Sequence, residues 1–390
     1  MMFQKLWRKT PLAWLQVKRE KNRLAVALAG IAFADILMFV QLGFKDALYD
    51  ASVKPHYALE GDLFMINPQF ETLFQVKSFQ RDRLFQARAI PGVESVSSLL
   101  IGTGQWRNPE TRMTRPILVF GLDPARPAFQ LPEIHQSADA LKMLNRVVYD
   151  QAGRPEYGNI AELFQQTNPL PIQLNDLDVR VAGIFTLGAS FAADGNVIAS
   201  DSTFLRLFPT RQANQIDVGL IHLSPGTDIA EVQATLRASL PNDVSILTID
   251  EFAEREKIYW GNSTPIGFIF GFGTIIGFIV GIVIVYQILY SDVSDHLAEY
   301  ATLKAMGYSD RYLVSVLIQE ALILAVLGFI PGSILSLGLY HLAQTATLLP
   351  IVMTVNRSIT VFSLTVTMCV FSGAIAMRKL QAADPADVFS

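Results

Sequence analysis

Four stretches of this chain are too long and too apolar for the core of a water-soluble domain. They are RLAVALAGIAFADILMFVQLGF (23–44), PIGFIFGFGTIIGFIVGIVIVYQILY (265–290), YLVSVLIQEALILAVLGFIPGSILSLGLYHLA (312–343) and ITVFSLTVTMCVFSGAIAM (359–377). A helix crosses a bilayer with about 20 mostly apolar residues, because it satisfies its own backbone N–H and C=O groups where water is absent. Four transmembrane helices are therefore expected. Pro331 lies in the third and predicts a kink or a break there. The first stretch begins like a secretory signal, with a basic start, an apolar centre and Ala-Phe-Ala before Asp35. Its apolar run then resumes as ILMFVQLGF, which predicts an uncleaved anchor.

Basic residues next to the spans set their direction. Residues 1–23 hold Lys5, Arg8, Lys9, Lys18, Arg19, Lys21 and Arg23 against Glu20 alone, and Arg378 and Lys379 follow the last span. Four crossings return the chain to its starting side, so both signals put the termini in the cytoplasm. The expected order is a cytoplasmic or interfacial helix (1–22), the first span (23–44), an extracytoplasmic α/β domain (45–264) and the second span (265–290). A cytoplasmic helical connection (291–311), the third span (312–343), a periplasmic loop (344–358), the fourth span (359–377) and a cytoplasmic tail (378–390) follow. The fold class is thus an α-helical membrane protein with four transmembrane helices and a large periplasmic α/β domain between the first two, in the inner membrane.

The insert holds 26 acidic and 19 basic residues, an ordinary balance for a solvated domain. DLFMIN, VESVSSLLIG, RPILVFGL, DVRVAGIF, NVIAS, DVGLIHL and DVSILTI read as strands, with helices at QRDRLFQARAI and DIAEVQATLRASL. Thr227 or Asp228 is placed to cap the second helix. These units predict helices on one face of a sheet, and the Pro- and Gly-richer region of about 100–200 predicts a second lobe.

Catalytic signatures are missing. No G-x-x-x-x-G-K-[ST] is present, and GASFA at 188–192 is one residue short of a nucleophile elbow. The five histidines lack ligand spacing, so no metal site is expected. Cys369, the one cysteine, sits in an apolar run as a packing residue. A net charge of −4 does not suit a nucleic-acid binder. The chain is not expected to be an enzyme or to bind a cofactor directly. Gly267 and Gly271, and Gly273, Gly277 and Gly281, recur at intervals of four and predict a small-residue face for close helix packing, within the chain or across a dimer. Two ionisable residues, Asp35 and Glu320, fall inside spans, where an unpaired charge is costly. Each reads either as part of a substrate or signal path or as a structural hydrogen bond.

Between the second and third spans lies DVSDHLAEYATLKAMGYSDRYL (292–313). Leu297, Tyr300, Leu303 and Met306 recur every three residues as an apolar stripe. Ser294 or Asp295 can cap its start, Gly307 can end it in the left-handed conformation, and Ser309-Asp310 can cap the next helix. A stiff amphipathic helix in so short a connection suits docking to another protein.

With its four spans, its insert after the first, EYATLKAMGYSDRYL and the terminal RKLQAADPADVFS, the chain resembles the FtsX/MacB-like ABC permeases (type VII). LPNDVSILTIDEF and GASFAADGNVIAS resemble, more narrowly, the DevC-type permeases of cyanobacteria. MacB is fused to its ATPase, whereas this chain is expected to work with a separate one. The resemblance implies that Glu299, Tyr300, Leu303, Lys304, Ala305, Met306 and Gly307 form a coupling helix against an ATPase, with Asp384 and Pro385 as a second contact. It implies that TPLAWLQVKREKNR is an interfacial helix with Trp14 at headgroup level. The implied partners are a DevA-like ABC ATPase that binds ATP and Mg, a DevB-like membrane-fusion protein, a TolC-like outer-membrane protein, membrane lipid and a second permease copy in a homodimer. The implied activity is ATP-driven export of lipid, glycolipid or another hydrophobic substrate by mechanotransmission. FtsX-like activation of a cell-wall hydrolase and LolC/LolE-like lipoprotein release are the alternatives.

Overall fold

The computed structural model describes residues 21–382, apart from 127, 192 and 348, and apart from the side chains of residues 310 and 378–382. The expected helix at 1–22 and tail at 378–390, with Trp14, Asp384 and Pro385, therefore lie wholly or largely outside the described residues. Among the described residues twelve α-helices are formed: α1 (Lys21–Tyr57), α2 (Asp82–Arg88), α3 (Pro132–Gln136), α4 (Ala138–Leu141), α5 (Ile160–Gln166), α6 (Asp201–Leu207), α7 (Ile229–Ser239), α8 (Ile249–Ile258), α9 (Pro265–Asp295), α10 (Leu297–Ala305), α11 (Asp310–Thr347) and α12 (Val355–Ala382). The strands are β1 (Leu63–Ile66), β2 (Phe79–Gln80), β3 (Val93–Arg107), β4 (Thr114–Leu122), β5 (Arg146–Asp150), β6 (Leu170–Leu174), β7 (Leu177–Phe185), β8 (Asn196–Ser200), β9 (Gln215–Ile216), β10 (Val218–Leu223) and β11 (Ser245–Leu247). The chain divides into two compact units, one of residues 48–264 and one of the segments on either side of it.

The first unit is built on a nine-stranded mixed sheet of order β11-β1-β10-β3-β4-β8-β5-β7-β6. β3 has 15 residues, long enough to pair with β10 through its first half, with β4 along most of its length, and with β6 at Trp106 and Arg107. That last pairing closes β3, β4, β8, β5, β7 and β6 into a ring. The ring takes in the region of about 100–200, and β3 is common to it and to the β10-β1-β11 extension. Helices cover both faces of the sheet, not one. Leu84 of α2, Phe204 of α6 and Val232 of α7 join one apolar core with Val119, while Ile134 of α3, Leu141 of α4 and Phe252 of α8 join another with Leu118 and Phe120. Adjacent residues of β4 feed opposite cores, which is why PILVFGL reads as an unbroken apolar run rather than an alternating one.

Local chemistry sets the helix starts. Asp228 accepts from Ala230 N at 2.9 Å as the N-cap of α7. In TIDE, Thr248 Oγ1 accepts from Glu251 N while Glu251 accepts from Thr248 N, a complete capping box that starts α8. Two buried carboxylates organise loops: Asp217 accepts from Ser78, Ile101 N and Arg211, and Asp150 accepts from Leu187 N, Gly188 N and Asn196. The second fixes the start of GASFA as an ordinary loop, with Gly188 at φ +90°.

The other unit holds α9, α11, α12 and the apolar part of α1. Each of these helices is long and apolar enough to cross a membrane. α11 continues through Pro331 without a break. Close packing comes from small residues, as lipid-immersed bundles require. A Cβ on Gly332 would lie 2.8 Å from the Asp35 Cβ and 3.2 Å from the Ala32 Cα, so α1 and α11 approach almost backbone to backbone there. Arg357, buried at the start of α12, makes two hydrogen bonds to Asp46 (2.8 and 3.1 Å) and one to Val352 O, while Tyr340 of α11 donates to Phe39 O of α1.

Two outcomes are expected. Gly332→Val should cost about 1–3 kcal/mol through overpacking, read as a lower temperature for loss of the monodisperse full chain in detergent. In the α/β unit, Glu256 is 1% exposed, accepts from Leu73 N and Trp260 Nε1, and is raised by burial to about 7. The folded form then keeps a proton that the unfolded chain has released, so stability is fullest below the ordinary carboxylate range and falls as pH rises through 7. Glu256→Gln should remove a pH dependence on the order of 3 kcal/mol, seen by comparing urea midpoints followed by tryptophan fluorescence at about pH 5 and about pH 8.

Candidate coupling site

The second apolar helix does not end where its apolar residues end. α9 continues through Asp295, and α10 follows after His296, so the connecting helix has 9 residues and begins later than the Ser294 or Asp295 cap predicts. No side chain caps α10, and the His296 ring instead turns back to Asp292, with Nδ1 3.0 Å from Asp292 O. Arg23 of α1 pairs with Asp295 and lies 3.5 Å from Asp292 Oδ1, tying the start of the first apolar helix to the end of the second.

The far end of α10 is a Schellman turn. Gly307 N donates to Lys304 O at 3.0 Å and Tyr308 N to Leu303 O at 3.1 Å, with Gly307 at φ +93°. This is the conformation that glycine adopts without penalty and other residues resist. Ser309 then starts α11 through its carbonyl, which accepts from Tyr312 N. Glu299 in the first turn and Lys304 in the last suit the helix dipole.

The apolar stripe serves mainly the chain itself. Tyr300 is 2% exposed and joins the bundle core with Val293, Leu313 and Leu317, and Leu297 and Leu303 pack against that core. Tyr300 is therefore an anchor and not an outward contact, since its ring is consumed by burial. The stripe leaves the bundle at its last member: Met306 is 63% exposed. Glu299, Ala305 and Gly307 are also exposed, along with Ala298, Thr302 and Tyr308, while Lys304 is half-buried. The surface open to a partner is polar and small-sided, with Met306 and Tyr308 at its tip.

The other residues singled out in the sequence sit inside the bundle. A Cβ on Gly273, Gly277 or Gly281 would meet Gln41, Leu37 or Met368 of this same chain, whereas one on Gly271 would meet nothing within 4 Å. Gly273, Gly277 and Gly281 thus pack against neighbouring helices of the same chain, and Gly271 does not. Asp35 is fully buried in α1, and its Oδ1 accepts from Thr365 Oγ1 of α12 at 2.5 Å. Of its two readings, the structure contains the helix-to-helix hydrogen bond. Glu320 is buried in α11. Arg357 and Thr365 escaped the sequence reading, and Arg23 was read there only as one of the basic residues that orient the first span. Among the described residues, no group of three His, Cys, Asp or Glu could hold a metal ion.

Four apolar helices with a polar helix between two of them define a polytopic membrane protein. Residues 257–385 match the family described as FtsX-like permease C-terminal, a segment that takes in α9 to α12. No curated protein matches the chain. Among solved structures, the periplasmic region of MacB from Actinobacillus actinomycetemcomitans is similar at 14% identity and a TM-score of 0.35, over 51% of this chain and 94% of that one. The extracellular domain of the noncanonic ABC-type transporter YknZ from Gram-positive bacteria is similar at 15% identity and a TM-score of 0.32, over 48% and 99%.

Gly307→Ala should cost about 1–2 kcal/mol by forcing a Cβ into the left-handed region. Faster hydrogen exchange confined to the amides of 304–308 would register it.

Proposed function

We propose that this chain is the permease subunit of an FtsX/MacB-like (type VII) ABC exporter, moved by a separate ATPase and hydrolysing no nucleotide itself. One observation carries the reading: within a segment that matches an FtsX-like permease domain, α10 is bolted to the bundle by Tyr300 and offers its opposite face and tip outward. A helix held that way passes on a push as displacement of the bundle instead of absorbing it by bending.

In this reading α10 and both termini are cytoplasmic and the α/β unit is periplasmic. ATP and Mg belong to a DevA-like ATPase whose groove receives Glu299, Ala305, Met306 and the Gly307 turn, with Asp384 and Pro385 as a second contact. The bundle carries the stroke to the α/β unit, which works on a DevB-like membrane-fusion protein and a TolC-like duct to expel a lipid, glycolipid or other hydrophobic substrate. A second copy of the chain completes a homodimer. The DevC-like phrases of the α/β unit support this narrower assignment.

Met306→Asp combined with Glu299→Lys alters only exposed side chains. The double variant should lose at least about tenfold in affinity for the co-purifying ATPase, as expected when one or two central contacts are removed. Hydrogen exchange in the α/β unit should stay unchanged. Undiminished binding together with undiminished export would refute the assignment.

A further inference from the structure

We propose that the α/β unit carries a binding site for a phosphoryl-type oxyanion, formed by Arg81, Arg88 and Arg126 around a cavity between α2, the start of β3 and the turn after β4. The cavity has a volume of about 150 Å³ and is lined by these three arginines, Phe85, Ser97 and Asp123, among others.

The sequence RDRLFQAR puts Arg81, Leu84, Phe85 and Arg88 at i, i+3, i+4 and i+7, one side of a helix. Leu84 fixes that side against the sheet: it is 3% exposed, and a Cβ on Gly219 of β10 would lie 2.5 Å from it. The third arginine comes from a separate element. Arg126 N donates to Asp123 O at 3.0 Å, and Arg126 Nη1 donates to Val96 O at 3.2 Å, which holds the guanidinium at the start of β3. Asp123, the one acid in the lining, accepts from Ala125 N at 2.9 Å and so is occupied within its own turn.

Charge in this cavity is left unbalanced. Arg83, on the same helix, forks onto Asp243 at 2.9–3.1 Å. Arg81, Arg88 and Arg126, in contrast, enter no ion pair among the described residues. Two residues of the lining also carry buried polar atoms that lack a hydrogen-bond partner among the described residues, Arg81 Nε and Ser97 Oγ. Ser97 is only 6% exposed. Native structures rarely leave such atoms unmatched, and an oxyanion supplies acceptors for them.

Guanidinium forks match tetrahedral oxyanions, and three of them facing one occupied carboxylate favour a doubly charged ligand. The volume is that of about five waters, enough for a phosphate group but too small for a nucleotide. Phe85, 61% exposed, gives the same lining an apolar surface for whatever the phosphate is esterified to. A lipid headgroup and free phosphate share this chemistry. The site stands apart from the ATPase assignment, since its occupancy is measured without nucleotide or partner.

The full chain in dodecyl maltoside, titrated calorimetrically with inorganic phosphate and separately with dihexanoyl phosphatidic acid, tests it. Saturable binding of either ligand is expected, weakened at least about tenfold in Arg81→Gln/Arg126→Gln. Arg206→Gln, at an exposed arginine on α6, should leave binding unchanged. Binding of phosphate alone identifies a free-ion site. Binding of the phosphatidic acid alone, further weakened by Phe85→Ala, identifies a headgroup site. Should the double variant misfold, Arg88→Gln, at an exposed position, must still weaken binding. Absence of binding by both ligands overturns the proposal, as do unchanged affinity in the arginine variants and an equal loss in Arg206→Gln.

Discussion

The burial of Tyr300 is the contact on which the rest of the membrane unit's logic depends. A nine-residue helix is marginal on its own in water, because so few hydrogen bonds follow its costly first turn. α10 persists because Tyr300, Leu297 and Leu303 close onto the core shared by α9, α11 and α12. The Schellman turn at Gly307 then removes slack from the way out, and α11 begins within three residues. The connection is thereby a rigid extension of the bundle. Had the stripe been left free to grip a partner, the helix would have needed that partner in order to form.

The same economy of close contact runs through the spans. Lipid offers no hydrophobic penalty for separated helices, so the bundle must rely on packing and on a few polar ties. Gly332 against α1, and Gly281 against α1 and α12, supply the packing. The ties lie at three levels: Arg23 with Asp292 and Asp295, Asp35 with Thr365, and Arg357 with Asp46. Each joins α1 to another helix, which makes α1 the member whose displacement would loosen the most. Asp35 therefore has a structural role before any other is invoked.

Much of this was legible in the sequence, and the misses share a cause. The apolar helices were readable because lipid imposes length and composition on each span independently. The seven strands expected in the α/β unit all form, and Gly307 and Asp228 act as the local chemistry of caps predicts. β5 and β6 were missed because RVVYD and LPIQL are short and owe their pairing to strands elsewhere in the chain. The two-sided cover of the sheet was hidden in runs such as PILVFGL, which do not reveal how many faces are buried. Asp46 and Arg357 are 311 residues apart, and nothing local marks either as the other's partner. The stripe of α10 was legible as a face, but periodicity does not show what a face is buried against: Leu297, Tyr300 and Leu303 close onto this chain's own bundle and Met306 stays exposed.

Site-specific photocrosslinking from single positions of α10 tests the central claim most directly. With a photoreactive residue placed in turn at 298, 299, 300, 302 and 306 in the assembled complex, the account predicts adducts to a nucleotide-hydrolysing partner from every position except 300. Adducts from 300 alone, or labelling of the outward positions from the side of the membrane that holds the α/β unit, would contradict it.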